Sequence, residues 1–433
     1  MNLRKITPSN TEFVLISFEG PDAYANAGGL GSRMKYLSRA LTDEGFDTRL
    51  FFIGDPDKPG EEVDGKLMLH RWCQWISRFH PLGVYDGEEG KLCDFNRSLP
   101  GFLVDNVIDP NARRGRHTIV MAEEWHTAEV SCIVSDLLRQ RGRRDAATIF
   151  WNANNTYSFG RIDWPRLQSH ATITTVSRYM RQIMEGMGLN PLVVGNGIPV
   201  GLLGKADEKA AREFKSIIDR SKDLTLFKMA RYDPTKGWVE AVQAASLLKQ
   251  FGNKVLLLAR GGIELYGQKV LKLAMNSGLR IAEIHRSATM KEFLDSLERV
   301  VDKADMINIR SFLPHEVSRT IFSESDAVLA NSRHEPFGLV GLESMASGGL
   351  SVVGGTGEDY ARHLENAIVL DKASPHELIA NILHVNRNKR LIRAMRKQAR
   401  RTAEKYSWPS IIRNQLLPKL EFSSWEEKIL RAA

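Results

Sequence analysis

Cysteine is scarce in this chain: three residues in 433, Cys73, Cys93 and Cys132, in no metal-ligand or Cys-x-x-Cys spacing. That argues against a structural zinc site and for a reducing, cytoplasmic compartment. Long apolar runs are missing too. Nothing approaches the 18 or so residues of a membrane span, and Lys254–Ala259 is a buried strand at most. The first residues, Met1-Asn2-Leu3-Arg4-Lys5, run into a polar stretch and lack the apolar core of a signal peptide. What is present is 42% hydrophobic and 26% charged sequence, the composition of a soluble globular protein. A chain of this length predicts two domains of roughly 200 residues each.

The formal charge is +8, with basic clusters at Arg113-Arg114-Gly115-Arg116, Arg139–Arg144 and Arg387–Arg401. No aromatics interleave with them and no nucleic-acid motif accompanies them, so no nucleic-acid partner is expected. In the last cluster Leu391, Met395 and Ala399 share one side, which predicts a helix with a solvated basic face. A peripheral contact with anionic membrane surfaces is a weaker reading of the same charges.

Phe13–Phe18 reads as a buried parallel strand, Ser32–Glu44 as a helix stopped by Gly45, and Thr48–Ile53 as the next strand: a βαβ unit. Further strands are expected at Thr118–Ala122, Ala147–Trp151 and Ile173–Val176, with Asp55–Asn96 as irregular decoration. Val193–Pro199, with glycines on both sides of Asn196, predicts an inter-domain hinge. A second alternating series follows, with strands at Thr225–Met229, Lys254–Ala259, Ile307–Ile309, Ala327–Ala330, Leu350–Val353 and Ala367–Leu370. Two doubly wound α/β domains facing a cleft are expected, with ligands outside the C-terminal strand ends.

The loops after strands are therefore where chemistry is sought. Asn26-Ala27-Gly28-Gly29-Leu30-Gly31 lies between the first strand and helix, where glycines let a phosphate or sugar approach the backbone, or simply make a tight turn. Met34 breaks any G-x-G-x-x-G pattern, which disfavours a dinucleotide. In Arg231-Tyr232-Asp233-Pro234-Thr235-Lys236-Gly237, two cations bracket a turn at a strand end. Such a pair suits a diphosphate leaving group and equally a solvated surface. Glu123-Glu124-Trp125-His126-Thr127 and Asn152-Ala153-Asn154-Asn155 offer carboxylates, rings and amides for sugar hydroxyls, or surface caps. Gly354-Gly355-Thr356-Gly357-Glu358-Asp359 is a further loop with amides for an anion, without the Gly-Lys-Ser/Thr of a P-loop.

Glu335 and Glu343 are eight apart in Glu335-Pro336-Phe337-Gly338-Leu339-Val340-Gly341-Leu342-Glu343. Pro336 suits a first helical turn, which would put both carboxylates on nearly one face, about 12 Å apart along the axis. That span suits the two ends of a nucleotide-sugar, with free helix N–H groups for the diphosphate between them. It also suits a core helix with two solvated or capping glutamates.

Together these loops resemble the retaining GT-B glycosyltransferases, the glycogen- and starch-synthase-like group 1 family, over nearly the whole chain. Ala27–Gly31 is similar to the family's N-terminal glycine loop, Glu124–Ala128 to its acidic-Trp-His stretch, and Gly195–Pro199 to its hinge. Arg231 with Lys236-Gly237 is similar to its diphosphate pair, Glu335 through Glu343 to its two-glutamate motif, and Trp408 to its returning helix. The resemblance implies an acceptor-side domain of residues 1–199 joined by a crossover helix at 407–433, and a donor-binding domain of 200–406. It implies a retaining hexosyltransferase using a UDP-, ADP- or GDP-hexose and a saccharide or other hydroxyl acceptor, with no cofactor and no metal. Arg231 and Lys236 would bind the diphosphate and Glu335 the sugar at the reacting centre, these three being catalytic, and Glu343 would bind the ribose. Gly28, Gly29, Phe337, Gly338 and Leu339 would complete the donor site, and Glu124, His126, Asn152 and Asn154 would meet acceptor or sugar.

The sequence departs from bacterial glycogen synthases at Asn26, where they carry lysine, and at Asn152–Asn155, where they carry a histidine. Glycogen or starch elongation is therefore the second reading. A sugar phosphorylase, a sugar-nucleotide epimerase and a degenerate sugar-nucleotide binder are the others. Base, sugar, acceptor and oligomeric state are left open by these residues.

Overall fold

A computed structural model describes residues 5–422. The chain divides into two compact units. The first takes the described residues up to Gly197 and those from Trp408 onward, and the second is Ile198–Ser407. The second unit begins at Ile198 because that residue bridges to Ser407 and its N–H donates to the Tyr406 carbonyl at 2.8 Å.

The first unit is built on eight strands, β1 (Thr11–Ile16), β2 (Asp47–Ile53), β3 (Glu61–Asp64), β4 (Leu67–Trp72), β5 (His117–Glu123), β6 (Ala147–Ala153), β7 (Thr172–Thr175) and β8 (Leu192–Val193). Their order is β3-β4-β2-β1-β5-β6-β7-β8, parallel throughout except for the β3–β4 hairpin. Strands buried on both faces read as continuous apolar runs, as in Thr11–Ile16 and Ala147–Ala153, every residue of which is buried. The helix Gly29–Asp43 follows β1 and ends before Gly45, which takes φ +93°.

The stretch 55–96 is not decoration. It contributes β3 and β4, with β4 parallel to β2 over six residues, and most of the helix Glu88–Leu103. His70 and Arg71 disguised β4 as polar. Both are buried, His70 stacked on Phe51 at 4.2 Å and Arg71 paired with Asp22 at 2.6 Å.

The second unit carries β9 (Leu224–Met229), β10 (Val255–Arg260), β11 (Ile281–Ile284), β12 (Met306–Ile309), β13 (Ala327–Ala330), β14 (Ser351–Val353) and β15 (Ile368–Val369), all parallel, in the order β11-β12-β10-β9-β13-β14-β15. The two-residue period of a strand sends alternate side chains to two cores. Val255, Leu257 and Ala259 join one core with Leu224, Leu226 and Trp238, while Leu256 and Leu258 join the other with Phe227 and Ile307. The edge strand β11 went unread because Ile281-Ala-Glu-Ile is short and only partly buried. The basic cluster forms the helix Lys389–Glu404, which buries Met395, Ala399 and Ala403 and exposes most of its charges as its spacing predicts, whereas Arg396 turns in to the Ser323 and Ser325 carbonyls and Arg400 to the Leu203 carbonyl.

From Trp408 the chain is helical to Phe422, with a π-helical turn at Ile412–Leu416. Residues 423–433 of the expected crossover helix lie outside the described residues, as do residues 1–4. Trp408 is pinned in the first unit. A Cβ on Gly197 would lie 2.4 Å from its ring, and the Arg33 guanidinium sits over it at 5.4 Å.

Arg33 also pairs with Glu123 at 3.1 Å, with the two side chains 3% and 0% exposed, and donates to the Asn196 side chain. Removing one partner leaves the other charge buried and alone. Glu123→Ala is expected to destabilise the first unit by about 3–5 kcal/mol, read by chemical or thermal unfolding.

Candidate functional site

In an open parallel sheet a crevice forms at the strand ends where the order reverses, because the chain leaves neighbouring strands in opposite directions. In the second unit that reversal falls between β9 and β13. The loops after these two strands carry Arg231 with Lys236, and Glu335. Lys236 Nζ donates to Glu335 Oε2 at 2.8 Å, both side chains about one-fifth exposed. Arg231 is exposed, and its guanidinium has no hydrogen-bond or ion-pair partner among the described residues, with the Asp233 charge nearby. The Arg231 carbonyl, by contrast, is held by the Trp238 indole N–H at 2.8 Å. The turn closes at Gly237, φ +68°, where a Cβ would lie 2.2 Å from the Asn331 carbonyl oxygen. Only glycine fits there.

The glutamate pair is arranged differently from the helical spacing inferred for it. The helix starts at Leu339 and runs to Ala346, so Glu335, Pro336 and Phe337 precede it in a loop and only Glu343 is helical. Gly338, φ +81°, makes the corner. Pro336 therefore does not occupy a first turn. The loop is fixed instead by the segment after β14. The Glu335 N–H donates to Thr356 Oγ1 at 2.9 Å, the Gly357 N–H donates to the Glu335 carbonyl at 2.8 Å, and the Tyr360 hydroxyl donates to the Gly338 carbonyl. Phe337 is 3% exposed and packs against Tyr360 and Tyr406, so its side chain is core. The helix begins without a side-chain cap, leaving its first amides free for an anion.

Two carboxylates beside this corner are raised by burial. Glu358 is pushed up to about 8, with Glu335 adding like-charge repulsion, and its Oε1 has no hydrogen-bond partner. Glu343 is pushed up to about 7 and has no hydrogen-bond or ion-pair partner among the described residues. Half-buried Glu343 and the Oε1 atom of buried Glu358 are thus desolvated acceptors without donors, suited to hydroxyls that arrive with a ligand.

The first unit reverses its order between β1 and β5. The glycine loop follows β1, but two of its amides are already engaged: Glu19 Oε2 accepts from Gly28 N at 3.0 Å and from Gly31 N at 2.9 Å. A phosphate at Gly28 would have to displace that carboxylate, a role the sequence reading did not give to Glu19. Gly29 opens the helix, and a Cβ there would meet nothing. After β5, Glu124 takes φ +67°, a strained backbone for a non-glycine residue, and accepts from Asn154 N at 2.6 Å. Burial lifts its carboxyl to about 8. His126 is stacked between Phe18 and Trp125 at 4.1 and 3.8 Å, and burial lowers it to about 3, so its ring is neutral. Its Nε2 meets Glu88 at 2.7 Å and its Nδ1 has no partner. Asn152 donates to Glu123 and accepts from Thr174, both at 2.8 Å, and is 2% exposed, so its amide is already committed to the interior. Asn154 also donates to Glu123 at 2.8 Å, but its Oδ1 is unpartnered.

The raised Glu343 carboxyl has a consequence for stability. Folded, it holds its proton more tightly than the unfolded group at 4.5, so its contribution is full below about pH 4.5 and is lost as pH rises through about 7. At 1.36 kcal/mol per unit the loss is at most about 3 kcal/mol. Glu343→Gln is therefore expected to gain stability relative to the parent protein between pH 4 and pH 8, read from unfolding midpoints at both.

Residues 210–402 match the family described as Glycosyl transferases group 1. An uncharacterized glycosyltransferase of Bacillus subtilis, YqgM, is 27% identical over 213 residues, 48% of this chain, and the chain spans about half (52%) of that relative. Among solved structures, sucrose-phosphate synthase from Thermosynechococcus elongatus superposes with a TM-score of 0.66 at 16% identity, covering 98% of this chain and all of its own. The catalytic domain of starch synthase IV from Arabidopsis thaliana, bound to ADP and acarbose, gives 0.67 at 15% over 96% of this chain and all of its own. HepE of Anabaena in complex with UDP and glucose gives 0.62 at 13% over 95% and 100%. At such identities the likeness is one of fold. The family match is confined to residues 210–402, and the chain's two Rossmann-like units have the GT-B fold.

Proposed function

We propose that this protein is a retaining glycosyltransferase that moves a hexose from a UDP-, ADP- or GDP-hexose to a saccharide or other hydroxyl acceptor. The observation that carries the reading is the convergence of Arg231, Lys236, Glu335 and Glu343 on the loops and helix beside the β9–β13 reversal. Support for a nucleotide-sugar donor also comes from relatives of the same fold described in complex with ADP, or with UDP and glucose.

On this reading the donor diphosphate takes the place beside Lys236 that Glu335 now shares, with Arg231 as the second, bidentate cation. As the bond from sugar to diphosphate breaks, negative charge grows on the leaving oxygen and both cations stabilise it. The first amides of the helix Leu339–Ala346, with Gly338 at its start, face the same phosphates. Glu335, freed from Lys236, accepts from sugar hydroxyls and stabilises the positive charge that develops at the anomeric carbon. Glu343 accepts from the ribose hydroxyls. Attack by the acceptor on the face the diphosphate leaves retains configuration, and the phosphate oxygen takes the acceptor proton. In the first unit, Glu124, His126 and Asn154 are the acceptor-side groups, with His126 Nδ1 and Asn154 Oδ1 as the atoms in need of partners.

Glu335→Gln is expected to lower transfer by a factor on the order of 10²–10³ without loss of fold, as for removal of one charge-stabilising group. Arg231→Ala is expected to weaken both donor binding and turnover. Assays with a panel of UDP-, ADP- and GDP-hexoses, with the anomeric configuration of the product read by NMR, check both. Transfer by Glu335→Gln near the parent rate, or an inverted product, contradicts the reading. Transfer is also expected to persist in EDTA, since two cationic side chains do the work of a metal.

A further inference from the structure

Lys228 is the one charged residue on the apolar alternation of β9, following Leu224 and Leu226 into the same core, and it is 1% exposed. Its ammonium is satisfied by neutral groups. Nζ donates to Asn331 Oδ1 at 2.7 Å and to the Leu329 carbonyl at 3.2 Å, and lies over the Trp238 ring at 5.2 Å. A methionine or leucine would fill the same space without the cost of burying a cation. The partners explain what the cation does. Asn331, oriented by Lys228, donates Nδ2 to the Gly237 carbonyl at 3.1 Å, immediately after Lys236. Trp238, seated against the ammonium, donates its indole N–H to the Arg231 carbonyl at 2.8 Å. Asn331 also begins the loop that leads to Glu335. Both ends of the cationic turn and the root of the glutamate loop thus share one buried ammonium.

We propose that Lys228 is a positioning residue for the donor site, holding the Arg231–Lys236 turn and the loop to Glu335 in place through Asn331 and Trp238. The inference rests on the donor-site reading above. Three charged groups face Lys228 from the elements around it: Glu240 on the helix Trp238–Gln250, Lys236 on the turn, and Glu335 after β13. Glu240 is itself bound by Arg333 Nε at 3.1 Å and does not hydrogen-bond the ammonium. Burial, reinforced by the Lys236 charge, lowers Lys228 to about 7 against the opposing pull of Glu240 and Glu335. The arrangement therefore weakens as pH rises through that value. A nucleotide-sugar diphosphate does not titrate in the same range, so the pH dependence of its binding reports on the protein.

The test is calorimetric titration of the full chain with UDP-, ADP- and GDP-glucose between pH 6 and 9, for the parent protein and Lys228→Met, with folding checked by circular dichroism. The parent is expected to bind at least one donor with an affinity that falls several-fold as pH rises. Folded Lys228→Met is expected to bind it about tenfold or more weakly at pH 6.5, with a shallower pH dependence that keeps only the share of the raised Glu343 and Glu358 carboxyls. A purely structural lysine would lower the unfolding midpoint and leave affinity and pH dependence unchanged, and that result overturns the proposal. If Lys228→Met does not fold, Trp238→Phe decides, because it keeps a ring under the ammonium and removes only the N–H to Arg231. About tenfold weaker binding supports the proposal and unchanged affinity overturns it. A parent protein that binds none of the three sinks the donor-site reading and this one with it, whereas binding that ignores Lys228→Met sinks this one alone.

Discussion

The reversal of strand order beside β9 is the constraint on which the site depends. A parallel sheet forces each strand to be left at the same end, and neighbours wound in opposite senses leave a gap that neither loop fills. Here one loop brings cations and the other a carboxylate, and the Lys236–Glu335 bond ties them together. The same rule applies to the first unit, where the reversal between β1 and β5 brings forward the glycine loop and the Glu123–Thr127 stretch. Each unit thus offers a site by topology before any residue is chosen.

What differs between the two is how much polar capacity is spent internally. In the first unit Glu19 occupies the loop amides, Glu123 takes Arg33 and both asparagine amides, and Arg33 anchors the returning Trp408. That network is a brace for the unit, and His126 Nδ1, Asn154 Oδ1, Trp125 Nε1 and Trp408 Nε1 are left over around it. In the second unit the Arg231 and Glu343 side chains have no hydrogen-bond or ion-pair partners among the described residues, and an uncapped helix start lies between the two glutamates of the motif. Unspent donors and acceptors of both signs, held by a rigid buried frame, are what a charged, hydroxyl-rich ligand needs.

Most of this frame was legible in the sequence where burial and periodicity agree. Ala327–Ala330 follows from its apolar run, and the helix after β1 from apolar spacing and a stopping glycine. Two of the failures share a cause. Apolar periodicity cannot announce polar residues that are buried because a distant residue satisfies them. His70 and Arg71 hid β4, since their partners Phe51 and Asp22 are remote in sequence. Lys228 stands in an apolar alternation with its partner a hundred residues away, and the misfit in that alternation was the one signal available. The Glu335–Glu343 motif was expected on a single helix, and only Glu343 is helical. Spacing cannot reveal that Gly338 takes a positive φ, nor that Thr356 and Gly357 hold the preceding loop.

The central claim is that a nucleotide-sugar is held in the second unit, on the loops at its strand-order reversal. Amide hydrogen exchange with and without a bound UDP-, ADP- or GDP-hexose tests it most directly. Protection is predicted at residues 231–238, 333–343 and 354–358. Protection absent from all three segments, with the ligand demonstrably bound elsewhere in the chain, would contradict it.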